Sequence, residues 1–217
     1  MKNHPFIHLI IYSCLIMSVS LQAQEHFADR YNVSYITMDN GLPHNFIDDI
    51  YKDAYGFLWI STAGGGLSRY DGYEFINFNT NAPHCKLKSN FIRNVYEDSF
   101  QRLWIVSEGG TDIIDLSTLQ SVVPAAPRGV LSRLINQPAH TVILDSQGCI
   151  WLQCNNALHR ITFNAKGDID TLSTLDLPEL SEPDLTLKDI DEDGKIWAGI
   201  NGTIYKIIPT DQGKLEK

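Results

Sequence analysis

Apolar residues along this chain recur in short bursts separated by polar turns. Ile47 to Tyr51 and Phe57 to Ile60 make one such pair, and Val142 to Leu144 with Ile150 to Leu152 make another. Short β-prone runs bounded by Asp, Asn and Gly predict strands joined by hairpins. Beyond the first two dozen residues no apolar stripe returns at helical spacing, so no helix is expected there.

The bursts have a period. Trp59, Trp104, Trp151 and Trp197 are the four tryptophans of the chain, and they fall 45, 47 and 46 residues apart. Six residues before each stands an aspartate: Asp53, Asp98, Asp145 and Asp191. Three residues after each aspartate comes Gly56, Gln101, Gly148 or Gly194, so the shared phrase is Asp-x-x-Gly-x-x-Trp with one glutamine substitution. Aspartate at the first position of a turn can accept hydrogen bonds from the turn's own amides. Glycine at the last can take the left-handed conformation that closes a hairpin. The phrase therefore predicts a β-hairpin with tryptophan on its second strand.

Each copy continues through a polar or glycine-rich turn, such as Gly64-Gly65-Gly66, Gly109-Gly110, Asn155-Asn156 or Asn201-Gly202. A third strand follows in each, and in the first copy Asp71-Gly72 turns into a fourth strand from Tyr73 to Phe78. Four short strands about every 46 residues are the pattern of a propeller blade. The expected fold is all-β: four four-stranded propeller blades, near 41–80, 87–123, 131–172 and 183–217, within residues 24–217. A spare strand at 31–37 would close or cap the array, and the fourth copy's outer strand is expected to be missing or vestigial. A closed four-bladed ring and the opening portion of a larger propeller are both compatible with the pattern. The tryptophans are expected in the core, where one large flat side chain per blade fills the space between neighbouring sheets.

Residues 1–23 stand apart from the repeats. A polar start at Lys2 and His4, an apolar run from Phe6 to Val19 and small Ala23 follow the order of a cleaved secretory signal peptide. The run is too short for the roughly 20 residues of a membrane span. The expectation is export to the periplasm, with no membrane span in the mature chain. A formal net charge of −9 repels polyphosphates, which argues against nucleic acid as a partner. Cys85, Cys149 and Cys154 remain after cleavage; Cys149 and Cys154 flank Trp151 at a strand spacing that a disulfide cannot reach, and they read as small core hydrophobes.

Familiar chemical motifs are weak here. Asp189 to Gly194 opens like a calcium loop, but Ile200 stands where a bidentate glutamate is needed. His26, His44, His84, His140 and His159 have no metal-ligand spacing, and no Gly-x-Ser-x-Gly elbow occurs. Asp48-Asp49 and Asp168 with Asp170 are carboxylates that nothing in the sequence sets across a cleft as a glycosidase requires. No catalytic residue, metal or cofactor is expected.

The stretch from Gly41 to Ile47, then Asp53 to Thr62, then Gly66 to Gly72 is similar to the two-component regulator propeller repeat. The second copy keeps Ser89 to Ile92, Asp98 and Leu103-Trp104-Ile105, but has Thr111-Asp112-Ile113 where the repeat has Gly-Leu; the later copies keep little beyond the Asp, Gly and Trp positions. The resemblance implies the first blades of the periplasmic sensor of a hybrid two-component system, of the kind found in Bacteroidetes, detecting oligosaccharides released from glycans. It implies a partner made of the remaining blades, and a kinase that this chain lacks, so the chain itself is not expected to be an enzyme. Tyr55, Tyr73, His44 and Asn45 are loop residues of suitable chemistry for a sugar, with the binding residues otherwise open. The alternatives are a small exported propeller-fold glycoside hydrolase and a non-functional sensor fragment.

Overall fold

The computed structural model describes residues 33–126, 130–154, 157–176, 186–200, 202–208 and 215–216. The signal peptide expected at 1–23, the turn at 155–156 and Asn201 lie outside them. Contacts divide the chain into two units, Met1–Ile36 and Thr37–Lys217. Of the first, residues 33–36 are described, exposed and without regular structure.

The second unit is built of four antiparallel four-stranded sheets, each a blade with its strands in chain order. The first holds β1 (Ile47–Lys52), β2 (Leu58–Thr62), β3 (Gly66–Tyr70) and β4 (Phe75–Phe78). The second holds β5 (Ile92–Glu97), β6 (Arg102–Ser107), β7 (Gly110–Asp115) and β8 (Gln120–Ser121). The third holds β9 (Ala139–Leu144), β10 (Ile150–Cys154), β11 (Ala157–Phe163) and β12 (Ile169–Asp176). The fourth holds β13 (Thr186–Ile190), β14 (Ile196–Ile200), β15 (Thr203–Ile207) and β16 (Leu215–Glu216). The fold is a β-propeller of four blades.

The first hairpin of every blade is closed by the same chemistry. The amide of Gly56 donates to the Asp53 carbonyl at 3.0 Å, and the amide of Asp53 donates to the Phe57 carbonyl at 3.0 Å. The same pair of bonds recurs at Asp98, Asp145 and Asp191. This is a type I turn followed by one left-handed residue, the three-residue hairpin loop. Its left-handed residue is Gly56, Gly148 or Gly194 in three blades, and Gln101, at φ 58°, in the second.

Hydrophobic faces pack blade on blade. Trp59, Leu67 and Phe78 of the first sheet meet Ile92, Val95, Leu103, Ile105 and Ile114 of the second. Trp104, Val106 and Ile113 meet Val142, Ile150, Leu152 and Ile161 of the third. Ile143, Trp151 and Leu158 meet Leu187, Ile196 and Ala198 of the fourth. Burying side chains of this size removes roughly 1.5–3 kcal/mol each from the cost of ordering the strands. Sheets with two apolar faces thus need neighbours on both sides, which is why the blades fold as an array. Cys85, Cys149 and Cys154 are buried free thiols within this packing.

Four details differ from the sequence pattern. A helix, α1 (Val130–Leu134), stands between the second and third blades, where none was expected. Five residues are too few to display a helical period; packing forms it, with Leu131, Leu134 and Ile135 in the core and Lys88 Nζ donating to the Ile135 carbonyl at 2.9 Å. Residues 33–37, the described part of the strand expected at 31–37, pair with no strand; Thr37 instead caps a 3-10 turn, Met38–Asn40. The third blade runs on to Asp176, past the expected limit at 172. Trp197, expected in the core with the other three tryptophans, is 37% exposed; the outer strand of its blade, β16, is vestigial as expected, two residues long and paired with Lys206 and Ile207. Among the described residues no helix is long and apolar enough to cross a membrane.

Candidate functional site

The repeated aspartate does more than turn the chain. Its Oδ1 accepts the amide four residues on: Phe57 at 2.9 Å, Arg102 at 3.1 Å, Cys149 at 2.9 Å and Lys195 at 2.9 Å. Its Oδ2 accepts the indole N–H of the blade's tryptophan, at 2.8 Å for Asp53–Trp59 and Asp98–Trp104, 2.9 Å for Asp145–Trp151 and 3.2 Å for Asp191–Trp197. A buried indole N–H needs an acceptor, and a carboxylate makes a strong one. The invariant six-residue separation was the sequence signal for this bond. These residues form the frame on which the loops are held.

The inner strands carry a different pattern. Eleven residues before each tryptophan stand Asp48, Arg93, His140 and Thr186. With Thr141, these four line one cavity of about 230 Å³, to which every blade contributes. The residue before it is apolar in every blade (Ile47, Ile92, Ala139 and Leu185), yet the position itself is polar in all four. In the first three blades the backbone explains its orientation, while Thr186 stays in the ladder opposite Gly199. The ladder skips Asp48 between Ile47 and Asp49, and Arg93 between Ile92 and Asn94; it skips His140 opposite Gln153 and Cys154. A bulged residue is released from the pleat and can be re-aimed. Here it is aimed at the axis.

Electrostatics in this axial mouth are mixed. Arg93 Nη2 pairs with Glu108 Oε1 of the β6–β7 turn at 3.0 Å, both side chains about half exposed. Burial and then the Arg93 charge hold His140 below its ordinary pKa, with Glu108 opposing, which favours the neutral imidazole at pH 7. Asp48 makes no salt bridge among the described residues. No three His, Cys, Asp or Glu side chains among the described residues gather as a metal would require.

Side chains fasten each blade to the inner strand of the next. Asp49 Oδ2 accepts from Asn94 Nδ2 at 3.1 Å and the Val95 amide at 3.2 Å. Asn94 Oδ1 accepts the Val142 amide at 2.8 Å, and Gln153 Oε1 accepts the Leu187 amide at 3.0 Å. Edge-strand amides facing the axis are thereby satisfied, and the mouth residues beside them are fixed in place.

The four loop residues that chemistry alone nominated for sugar contact are not brought together. Tyr55 and Tyr73 occupy the β1–β2 and β3–β4 turns, at one end of the antiparallel sheet, and are 52% and 91% exposed. His44 and Asn45 precede β1, at the opposite end, the end of the mouth. Both are engaged locally: His44 Nδ1 accepts the Phe46 amide and Asn45 Oδ1 accepts the Met38 amide. In the sequence Asp48 stands only as a carboxylate and His140 only as a candidate metal ligand, and nothing singles out Arg93 and Thr186, because it is the meeting of the inner strands that brings the four together.

The family model for the two component regulator propeller matches residues 41–64 and 86–109, the loop and first hairpin of the first two blades. The chain carries two-component regulator propeller repeats. The extracellular domain of a one-component system from B. thetaiotaomicron is 26% identical at a TM-score of 0.59, over 79% of this chain and 24% of that one. The extracellular domain of a hybrid two-component system from the same organism is 19% identical at 0.56, over 84% and 31%. This propeller segment therefore spans about a quarter to a third of those domains. Virginiamycin B lyase from Staphylococcus aureus shares the fold at 17% identity and a TM-score of 0.50, over 79% and 54%. No curated protein matches the chain in sequence.

Proposed function

We propose that this chain is a ligand-sensing propeller segment of a hybrid two-component system, exported to the periplasm, whose ligand is an oligosaccharide derived from a glycan. The observation that carries the sensing role is the axial mouth. Equivalent positions of the repeat present a different polar side chain from each blade to one cavity, as a recognition site on a uniform scaffold does. The glycan class and the periplasm follow the family resemblance and the leader-like first 23 residues. Binding without turnover is the reading because Glu108 is engaged with Arg93, which leaves Asp48 without a second free carboxyl of the kind glycoside hydrolysis uses.

The four blades are, on this proposal, an arc of a larger propeller, and the remaining blades are the partner. Support comes from the two end faces. Trp197 is 37% exposed where Trp59, Trp104 and Trp151 are buried, and Ile50 is 60% exposed where Val95 and Val142 are fully covered. The inner strands pack in the order β1, β5, β9, β13, and β13 forms no comparable packed pair with β1 among the described residues.

Calorimetric titration of the full chain with oligosaccharides released from plant and host glycans tests the proposal. A saturable heat with an unchanged sugar profile is expected. New sugar products without any added partner would replace the sensor reading with a hydrolase.

A further inference from the structure

The axial mouth has a chemistry that selects among sugars. It holds one cation, Arg93, already paired with Glu108; one unpaired carboxylate, Asp48; a neutral imidazole, His140; and the hydroxyls of Thr141 and Thr186. An incoming carboxylate would meet Asp48 and compete with Glu108 for Arg93. A metal ion would find no cluster of three ligands among the described residues. A hydroxyl suits every wall: it donates to Asp48, accepts from the guanidinium, and exchanges either role with threonine or imidazole.

Size narrows the fit. The part of the mouth that these four blades line, about 230 Å³, lies below the roughly 300–1,000 Å³ of sites that enclose drug-sized ligands. One sugar ring fits this space, and a chain of rings would extend outwards. Phe46 and Phe91 stand two residues before Asp48 and Arg93, 63% and 51% exposed. They offer apolar faces, beside the mouth, to the C–H face of a following ring.

We propose that the axial mouth is an end-on subsite for one neutral, polyhydroxylated ring at the terminus of an oligosaccharide, with Asp48 and Arg93 as its polar anchors and Phe46 and Phe91 as the platform for the next ring. This inference rests on the sensor reading above, and narrows it to neutral termini at one end of the blades.

Titration of the ¹⁵N-labelled full chain with methyl β-glucoside, methyl β-xyloside and, separately, sodium glucuronate tests it, read at the amides of Arg93, His140, Thr141 and Thr186. A neutral glycoside should shift these amides, with glucuronate at least tenfold weaker. Asp48→Asn and Arg93→Gln should each weaken binding at least tenfold, while Tyr73→Ala, at the far end of the blade, leaves it unchanged. The anchors are exposed, and an unchanged amide spectrum away from the mouth shows that each variant is folded. Glucuronate binding as tightly as the glycosides, or undiminished binding in both anchor variants, overturns the subsite. Shifts confined to the Tyr55 and Tyr73 end sink the subsite and leave the sensor standing. Failure of both these glycosides and the longer oligosaccharides to bind removes both.

Discussion

Trp104 donates its indole N–H to Oδ2 of Asp98 at 2.8 Å, and both residues are buried. The same oxygen receives Arg102 Nε at 2.7 Å, while Arg102 Nη1 donates to the Gly167 carbonyl of the third blade at 2.6 Å. One carboxylate thus closes its hairpin, seats its tryptophan and holds a buried cation that locks the next blade. Asp145 makes the same tryptophan bond at 2.9 Å, but Arg160 lies 3.7 Å from it and is partly exposed.

Asp98→Ala should therefore cost more than Asp145→Ala. Stranding the Arg102 charge predicts a loss of about 3–5 kcal/mol, against about 1–3 kcal/mol for an indole left without its acceptor. Urea unfolding of the two variants measures the difference. Equal losses would mean that the guanidinium adds nothing to the lock.

Gln101 occupies the left-handed position that glycine takes in the other three hairpins, and accepts the Tyr55 hydroxyl at 3.0 Å. Relief of the left-handed backbone gives Gln101→Gly a gain of about 1 kcal/mol. Tyr55→Phe should cost less than about 1 kcal/mol in the parent and nothing in the glycine variant. A double-mutant cycle by thermal unfolding separates the two effects, and a destabilised glycine variant would show that the side-chain bond outweighs the strain.

Glu97 Oε2 accepts the Ala54 amide at 2.8 Å across the first blade seam. Burial, and then the charges of Asp53 and Asp98, raise its pKa above the ordinary 4.5, the Ala54 bond opposing. The folded state then holds the proton more tightly than the unfolded one. Its contribution is complete below pH 4.5 and is lost as pH rises through the folded value. Glu97→Gln keeps an acceptor and has no charge to bury, so its stability relative to the parent should increase between pH 4 and pH 7. Parallel pH profiles of unfolding for the two proteins would refute this.

Asn94 joins three blades, donating to Asp49 and accepting from the Val142 amide. Asn94→Ala removes both bonds and leaves an edge amide unsatisfied, a cost of about 2 kcal/mol. Hydrogen exchange should accelerate at Val142 and hardly change at Ile105, within the second blade. Unaltered exchange at Val142 would show that water replaces the asparagine without penalty.

Much of the architecture was readable from residues alone. Four tryptophans at near-constant spacing, each with an aspartate six residues before it, dictate four hairpins of one kind, because the turn is local and its bonds lie within a few residues. The helix at Val130–Leu134 was not readable, since five residues carry no period and tertiary packing decides it; nor was the exposure of Trp197, which depends on what packs against the fourth blade.

The sequence by itself determined the blade: its period, its closing turn, and the side chain that fills each seam. Only the tertiary structure decided where the chemistry gathers. Asp48, Arg93, His140 and Thr186 are separated by 45 to 47 residues and share no residue type. They meet because each inner strand is brought to the same axis, and because a bulge in the first three turns that position out of the pleat. Local bonding fixes a hairpin, whereas the meeting of distant residues depends on how whole sheets stack.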